Sequence, residues 1–246
     1  MRLLTDRKRR LPLFHTRPSA TSRLHGSTTR ILTHTVFITG GTGYIGSRLI
    51  DALLERGHTV RALARRTSLE KLSTGCAYAT GDALNRSTYA SQIIPADTFV
   101  HLVGSPSPSP WHKEKFRAVD SASAREAIAA ARESGIHHFI YVSVAHPAPI
   151  MADYVAARVE AEELLRDSGM KVTILQPWYV LGPGRRWPLV LLPLYWIATL
   201  LPPTRAAARR LGLVTITQMI SALVNAVQRP PAKSRTLTVP DIRRSR

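Results

Sequence analysis

The sequence predicts an α/β fold, a doubly wound parallel sheet with a small C-terminal substrate lobe, and three observations carry that reading. First, the apolar run His34 to Thr39 passes directly into Gly40-Gly41-Thr42-Gly43-Tyr44-Ile45-Gly46. A segment follows in which Ile45, Leu49, Leu53 and Leu54 repeat at helical spacing. Second, strand-like apolar runs alternate with helical segments from His34 to Leu175, the pattern of successive β-α-β units that places a parallel sheet between two helical layers. Third, 246 residues with 44% hydrophobic content are enough for one sizeable core and an appended lobe, and too few for two large domains. Glycines three apart at a strand-to-helix turn belong to Rossmann-type sheets. The expected organisation is therefore a basic, disordered tail over 1–33, a Rossmann domain over 34–180 and a substrate lobe with the last strand over 181–246.

Each element has a local reason. The helix after the glycine turn stops at Gly57, which a helix C-terminus favours, and a second strand runs from His58 to Ala64. A short strand Ala77 to Thr80 ends in Gly81-Asp82, and Thr98 to Val103 forms a clearer one. The following Gly104-Ser105-Pro106-Ser107-Pro108-Ser109-Pro110 is a loop, because its prolines and serines favour extended or turn backbone. An alanine-rich helix fits Lys113 to Ser134, a buried strand His138 to Val144, a helix Asp153 to Ser168 and a strand Val172 to Leu175. Beyond Pro177 the alternation breaks, leaving a helix around Gln218 to Val227 and a last strand around Thr236 to Val239. Trp187 to Thr204 carries no charge but is interrupted by four prolines, so it reads as the apolar wall or lid of a substrate pocket rather than a membrane span. Contact with a membrane surface is the minority reading of that stretch.

The formal net charge of +18 is concentrated at the ends. Eight Arg or Lys stand against one Asp up to Thr33, and six against one in the last nineteen residues. The first segment lacks the apolar run of a secretory signal. It reads as a disordered tail, with an organelle transit peptide as the alternative, so the expected location is cytoplasmic with import left open. Nucleic acid is not an expected partner, because no interleaved aromatics accompany the basic ends. The lone Cys76 excludes an internal disulfide, and the scattered histidines have no metal-ligand spacing, so no metal is expected.

The glycine turn is a dinucleotide-binding device. Gly40 permits the sharp turn, Gly43 lets backbone N–H groups approach a pyrophosphate, and Gly46 lets the helix pack closely, with Thr42, Tyr44 and Ile45 completing the loop and the helix N-terminus favouring the anion. An NAD site usually offers a carboxylate about twenty residues further on, to accept from the ribose 2′-OH. Here Arg65 and Arg66 stand in that place. Guanidinium groups match a 2′-phosphate, so NADP(H) is the preferred cofactor and NAD(H) the alternative.

With these motifs the chain resembles the extended and atypical branches of the short-chain dehydrogenase/reductase superfamily, which include nucleotide-sugar epimerases and NmrA-like proteins. The resemblance spans Val36 to Asp241 and rests on Thr39 to Gly46, Gly81-Asp82, Val100 to Gly104, Tyr141-Val142-Ser143 and Gln176 to Gly184. It implies that Asp82 lies beside the adenine, that His101 with Leu102, Val103 and Gly104 borders the cofactor, and that Pro177, Tyr179 and Val180 close over the nicotinamide. It further implies a tyrosine with a lysine four residues later on one helix face. The cation lowers the phenol's pKa and holds the ribose, so that the phenol exchanges a proton with a substrate carbonyl or alcohol. The matching pair here is Tyr154 and Arg158, and the matching serine is Ser143. Arginine keeps the charge but not the compact ammonium geometry, Val144 replaces a second serine, and Gln176 replaces the arginine common before the proline.

The function expected is an NADP(H)-binding atypical short-chain oxidoreductase acting on a small, largely apolar carbonyl or alcohol. Two alternatives stay open: a non-catalytic NADP(H)-sensing regulator or scaffold, and a nucleotide-sugar epimerase or dehydratase. The Tyr-xxx-Arg departure leaves catalysis itself undecided at this stage, and the residues do not specify an oligomeric state.

Overall fold

Strand β1 (Thr35–Thr39) shows how this chain builds its layers, because its side chains alternate between two separate cores. Val36 and Ile38 pack with Leu49 and Leu53 on one side, whereas Phe37 packs with Phe99, Phe139, Ala127 and Leu165 on the other. A strand apolar on both faces must be covered on both, which is the physical origin of the three-layer arrangement. The computed structural model describes residues 33–104, 116–148, 152–184, 206 and 210–245, and of 116–118 the backbone alone. The tail up to residue 32, the proline-rich loop 105–110, the first residues of the predicted helix (113–115) and the apolar stretch 187–204 lie outside the described residues.

The main sheet continues with β2 (Thr59–Ala64), β3 (Ala77–Thr80), β4 (Thr98–His101), β5 (His138–Val142) and β6 (Lys171–Leu175). Helix α1 (Tyr44–Leu54) follows β1, α2 (Ala122–Glu133) follows β4, and α3 (Ala152–Arg166) follows β5. After these come β7 (Tyr179–Leu181), β8 (Leu213–Thr215), helix α4 (Ile216–Gln228), β9 (Ser234–Leu237) and helix α5 (Val239–Arg244). The seven-stranded sheet has the order β3-β2-β1-β4-β5-β6-β9 and every pairing in it is parallel. Starting from β1, the chain winds first to one side and then to the other. The C-terminal ends of β1 and β4 therefore flank the point where the winding reverses, the place where such sheets bind ligands.

Three differences from the sequence expectation have local causes. Strand β4 ends at His101 rather than Val103: the Leu102 N–H makes the last sheet bond, to the Thr39 carbonyl at 3.0 Å, after which Leu102 and Val103 line a recess instead of continuing the sheet. The predicted helix from Lys113 begins, within the described residues, as a π-helical turn over Phe116–Ser121 before α2 takes over. Val239 does not end a strand but opens α5. Thr238 caps that helix reciprocally with Asp241, and Pro240 occupies its first turn.

The stretch beyond residue 180 does not stand apart as one lobe. Strand β9 completes the main sheet against β6, and α4 buries Met219, Leu223 and Val227 in the same core as α1. The reason is amphipathicity, since α4 would otherwise expose an apolar stripe, and β6 an unpaired edge. Strands β7 and β8 form a separate parallel pair beside this layer.

Buried imidazoles tie the strands together. His138 Nε2 meets Thr173 Oγ1 at 2.9 Å, and His101 Nδ1 meets Thr39 Oγ1 at 2.8 Å. Burial, reinforced by nearby cations, pushes the pKa of His138 down to about 4 and that of His101 to about 3. In the unfolded chain both take up protons near pH ~6.5, so below that value the unfolded state binds more protons than the folded one. Stability is therefore expected to fall as pH drops from about 6.5 towards about 4. In thermal melts across that range, His138→Gln should flatten the slope of Tm against pH, and an unchanged slope contradicts this assignment.

Candidate functional site

The site grows from the lack of side chains at the C-terminal edge of β1. Gly40 has φ +79°, and a Cβ there would lie 2.8 Å from the carbonyl carbon of Leu102, so the turn presses directly on the chain leaving β4. Gly43 caps α1, its N–H donating to the Gly40 carbonyl at 3.0 Å. Gly46 is buried one turn later, and a Cβ on it would collide with the Gly40 carbonyl oxygen and the Gly41 backbone. Beside this turn, at the N-terminal end of α1, lies a recess of 360 Å³. Such an N-terminus attracts an anion.

That recess collects much of the predicted cofactor set. Gly40, Thr42, Gly43, Arg65, Asp82, Leu102, Val103 and Gly104 all line it. Asp82 accepts a hydrogen bond from the Leu84 N–H at 3.0 Å, which shapes a ledge together with Ala83 and Leu84. Ser68, which the sequence reading missed, also lines the recess. It stands on a short 3-10 helix, Arg66–Lys71, whose first turn closes with the Ser68 N–H on the Arg65 carbonyl at 2.8 Å. A serine three residues after an arginine at a strand end was the available signal.

Other predicted residues sit elsewhere. Arg66 begins the 3-10 helix outside the recess lining. Tyr44 turns its ring under the Arg48 guanidinium, 4.3 Å from the centroid, and its hydroxyl occupies the space a Gly182 side chain would need. Ile45 packs on the core, so Tyr44, Ile45 and Gly46 shape the turn without lining the recess. Tyr179 and Val180 lie on β7, and the Pro177 carbonyl accepts from the Ala145 N–H at 2.9 Å. Tyr179 meets Trp178 edge to face at 5.4 Å, and burial raises its pKa.

Below the strand ends lies a polar group of a different kind. Tyr154 and Arg158 share one face of α3, with the guanidinium carbon 5.3 Å from the Tyr154 ring centroid. The same guanidinium donates to the Val142 carbonyl at 2.9 Å and to the Tyr141 hydroxyl at 3.3 Å, and it forms an ion pair with the buried carboxylate of Asp120. Burial opposes its charge, but Tyr141, Tyr154 and Asp120 together raise the Arg158 pKa above the ordinary arginine value. Next to Val142, the Ser143 hydroxyl is buried with no hydrogen-bond partner among the described residues. A buried hydroxyl without a partner costs about 1–3 kcal/mol, which a bound ligand oxygen would relieve. One turn beyond Arg158, Glu162 is fully buried and accepts from Gln176 at 2.9 Å and from Arg166 at 2.7 Å, with His146 3.4 Å away. Gln176 therefore serves a structural network at the place where the resembled family commonly has an arginine. Among the described residues no group of three or more His, Cys, Asp or Glu is arranged to hold a metal ion, and no helix is long and apolar enough to cross a membrane.

Comparison with known proteins gives this geometry a context. A protein-family model described as NAD(P)H-binding matches residues 40–185. A ceramide reductase of Caulobacter vibrioides is 28% identical over 197 residues, covering 79% of this chain and 61% of that protein. A 3 beta-hydroxysteroid dehydrogenase/Delta 5→4-isomerase of Mycobacterium tuberculosis is 29% identical over 114 residues, covering 44% of this chain and 31% of the relative. The chain thus spans about three fifths of the first of these proteins and about a third of the second. Among solved structures, a short-chain dehydrogenase/reductase superfamily protein from Agrobacterium tumefaciens with bound NAD superposes with a TM-score of 0.62 at 18% identity, covering 83% of this chain and 77% of its own. At that identity the likeness is one of fold.

The bare turn yields a direct test. Gly46→Ala drives a methyl group into the Gly40 carbonyl, so both Tm and binding of reduced nicotinamide cofactor, NADH or NADPH, read from its fluorescence, should fall sharply. Retention of both at parental values contradicts the packing role assigned to Gly46.

Proposed function

Because the chain belongs to the NAD(P)H-binding family, we propose that it is an NADP(H)-dependent oxidoreductase that interconverts a carbonyl and an alcohol on a largely apolar, lipid-like substrate. The observation that carries the cofactor reading is the recess itself, lined by the glycine turn and by Arg65 and Ser68. The residues fit a dinucleotide: the glycines leave room for a pyrophosphate that side chains would fill, and the α1 N-terminus supplies N–H donors to it. Arg65 and Ser68 offer a cation and a hydroxyl for a 2′-phosphate, while Asp82, the one acid among the described residues lining the recess, is engaged by a backbone N–H. When bound, the nicotinamide supplies or accepts hydride.

The remaining roles fall to this chain's own side chains. Ser143, with an unused hydroxyl at the end of β5, donates a hydrogen bond to the substrate oxygen and polarises it. The Tyr154 phenol carries the proton to or from that oxygen, and Arg158 holds the ring's surroundings in place. The lipid-like substrate class draws on the relatives, one named for a ceramide and one for a steroid. A second reading, an NADP(H)-sensing protein without turnover, is favoured by one observation: Arg158 is committed to Asp120 rather than free to hold a ribose.

Two measurements decide between these readings. In calorimetric titrations NADPH should bind more tightly than NADH, and the double substitution Arg65→Ala, Arg66→Ala should weaken NADPH binding about 10- to 100-fold while sparing NADH. Equal affinities remove the NADP(H) assignment. With a panel of long-chain and steroidal ketones, Tyr154→Phe should lower NADPH oxidation by about 10²-fold at unchanged NADPH affinity. Turnover unaffected by Tyr154→Phe removes the tyrosine from the mechanism, and a parent protein that binds NADPH but reduces none of these ketones overturns the lipid-like carbonyl assignment and leaves the sensing reading ahead.

A further inference from the structure

Asp120 has no role in the glycine turn, the recess or the proton-carrying pair, yet it is buried at the centre of the polar group beneath them. It stands in the π-helical turn Phe116–Ser121, an arrangement that inserts one extra residue per turn and re-aims side chains at the start of α2. Its carboxylate takes Nη2 of Arg158, while Nη1 of the same guanidinium spans the Val142 carbonyl and the Tyr141 hydroxyl. The guanidinium carbon then lies 5.3 Å from the Tyr154 ring centroid and 5.6 Å from that of Tyr141. Gly104 makes the arrangement sterically feasible, because a Cβ there would collide with Arg158 Nη2 and sit 3.0 Å from the Asp120 carboxylate. Gly104 also lines the recess, so the ion pair lies immediately below the wall of the cofactor site.

We propose that Asp120 is a positioning residue for the Tyr154 site: its carboxylate pins the Arg158 guanidinium between the two phenols and cancels the charge that they feel. The proposal rests on the reading of Tyr154 as the proton carrier. A lysine at position 158 would present a compact ammonium that rotates freely, whereas a guanidinium is a planar fork whose direction is set by what accepts from it. Asp120, the Val142 carbonyl and Tyr141 accept from both of its terminal nitrogens. With the carboxylate present the buried pair is neutral, and neither phenol faces a net cation.

The groups packed around Arg158 are consistent with this. From β4 comes His101, buried and neutral, with its ring 5.9 Å from that of Tyr141. From β5 comes Tyr141, and from α3 itself Tyr154. The neighbouring acids of α3 have other partners: Glu162 is held by Gln176 and Arg166, with His146 beside it, and Glu160 by Arg125 and Ser121. Asp120 is the carboxylate that the turn before α2 brings to the guanidinium.

Ultraviolet phenolate titration of the cofactor-free protein tests the proposal without requiring turnover. The step belonging to Tyr154 is identified as the one that Tyr154→Phe removes. In Asp120→Asn, which leaves the cation uncompensated, that step should move about one pH unit or more to lower pH. In the double variant Asp120→Asn, Arg158→Gln, which strands no charge and so remains foldable if the single variant does not, the step should stay within about 0.3 of a pH unit of the parent. An unmoved step in folded Asp120→Asn overturns the proposal, as does a shift of one unit or more in the double variant. NADPH-dependent ketone reduction measured in parallel separates the two readings. An inert parent with the expected titrations overturns the oxidoreductase assignment alone, and an active parent with an unmoved titration overturns the role of Asp120 alone.

Discussion

The approach of backbone to backbone at the C-terminal edge of the central strands is the constraint on which the rest of this molecule depends. Gly40 and Gly46 let the turn after β1 fold back on itself and against the chain leaving β4, and Gly104 keeps that chain clear of side chains where it passes over the Arg158–Asp120 pair. A single Cβ at any of these positions would occupy space that a neighbouring backbone or guanidinium already fills. The result is a recess lined by the glycine turn, by Arg65 and Ser68, and by the chain leaving β4, formed where the parallel sheet reverses its winding. Sheet order fixes the location of the recess, and the missing side chains give it depth.

Electrostatics organises the neighbouring layer. One face of α3 presents Tyr154, Arg158, Glu162 and Arg166 at successive turns, and the two buried charges among them each meet partners from another element: Asp120 for Arg158, Gln176 for Glu162. Breaking the buried Arg158–Asp120 pair by removing one partner costs about 3–5 kcal/mol, because the other charge is left without compensation. The helix therefore cannot slide or rotate relative to the turn before α2 without stranding the Arg158 charge. That rigidity favours a site whose phenol and serine keep a fixed relation to each other, a requirement of proton transfer and of ligand sensing alike.

The segments after residue 180 connect to both layers. Strand β9 closes the open edge of β6, α4 seals the core around α1, and Gly182 on the chain leaving β7 receives the Tyr44 hydroxyl from the first residue of α1. The cofactor turn and the C-terminal part of the chain are thus in direct contact. Movement of β7 would be felt at the start of α1.

The sequence by itself determined the layered parallel sheet, because two-sided apolar strands and stripe-bearing helices have few other ways to bury their faces. It also determined the dinucleotide turn, since glycines three apart at a strand-to-helix junction answer a local steric demand, and the meeting of Tyr154 and Arg158, which follows from helical spacing alone. The ends of β4 and β9 were misjudged by a few residues. Apolar residues such as Leu102, Val103 and Val239 suit a strand by composition, but the sheet bonds stop at Leu102, and the local Thr238–Asp241 capping box with Pro240 takes Val239 into a helix. Only the tertiary structure decided that Asp120 belongs to Arg158, that Ser68 joins Arg65 on the recess while Arg66 does not, and that Gln176 serves Glu162. The pairings of Asp120 with Arg158 and of Gln176 with Glu162 join elements that no periodicity relates, because a buried charge takes its partner from whichever strand or turn the packing brings beside it; Ser68 is related to Arg65 by one 3-10 turn, but only the fold shows that both reach the recess.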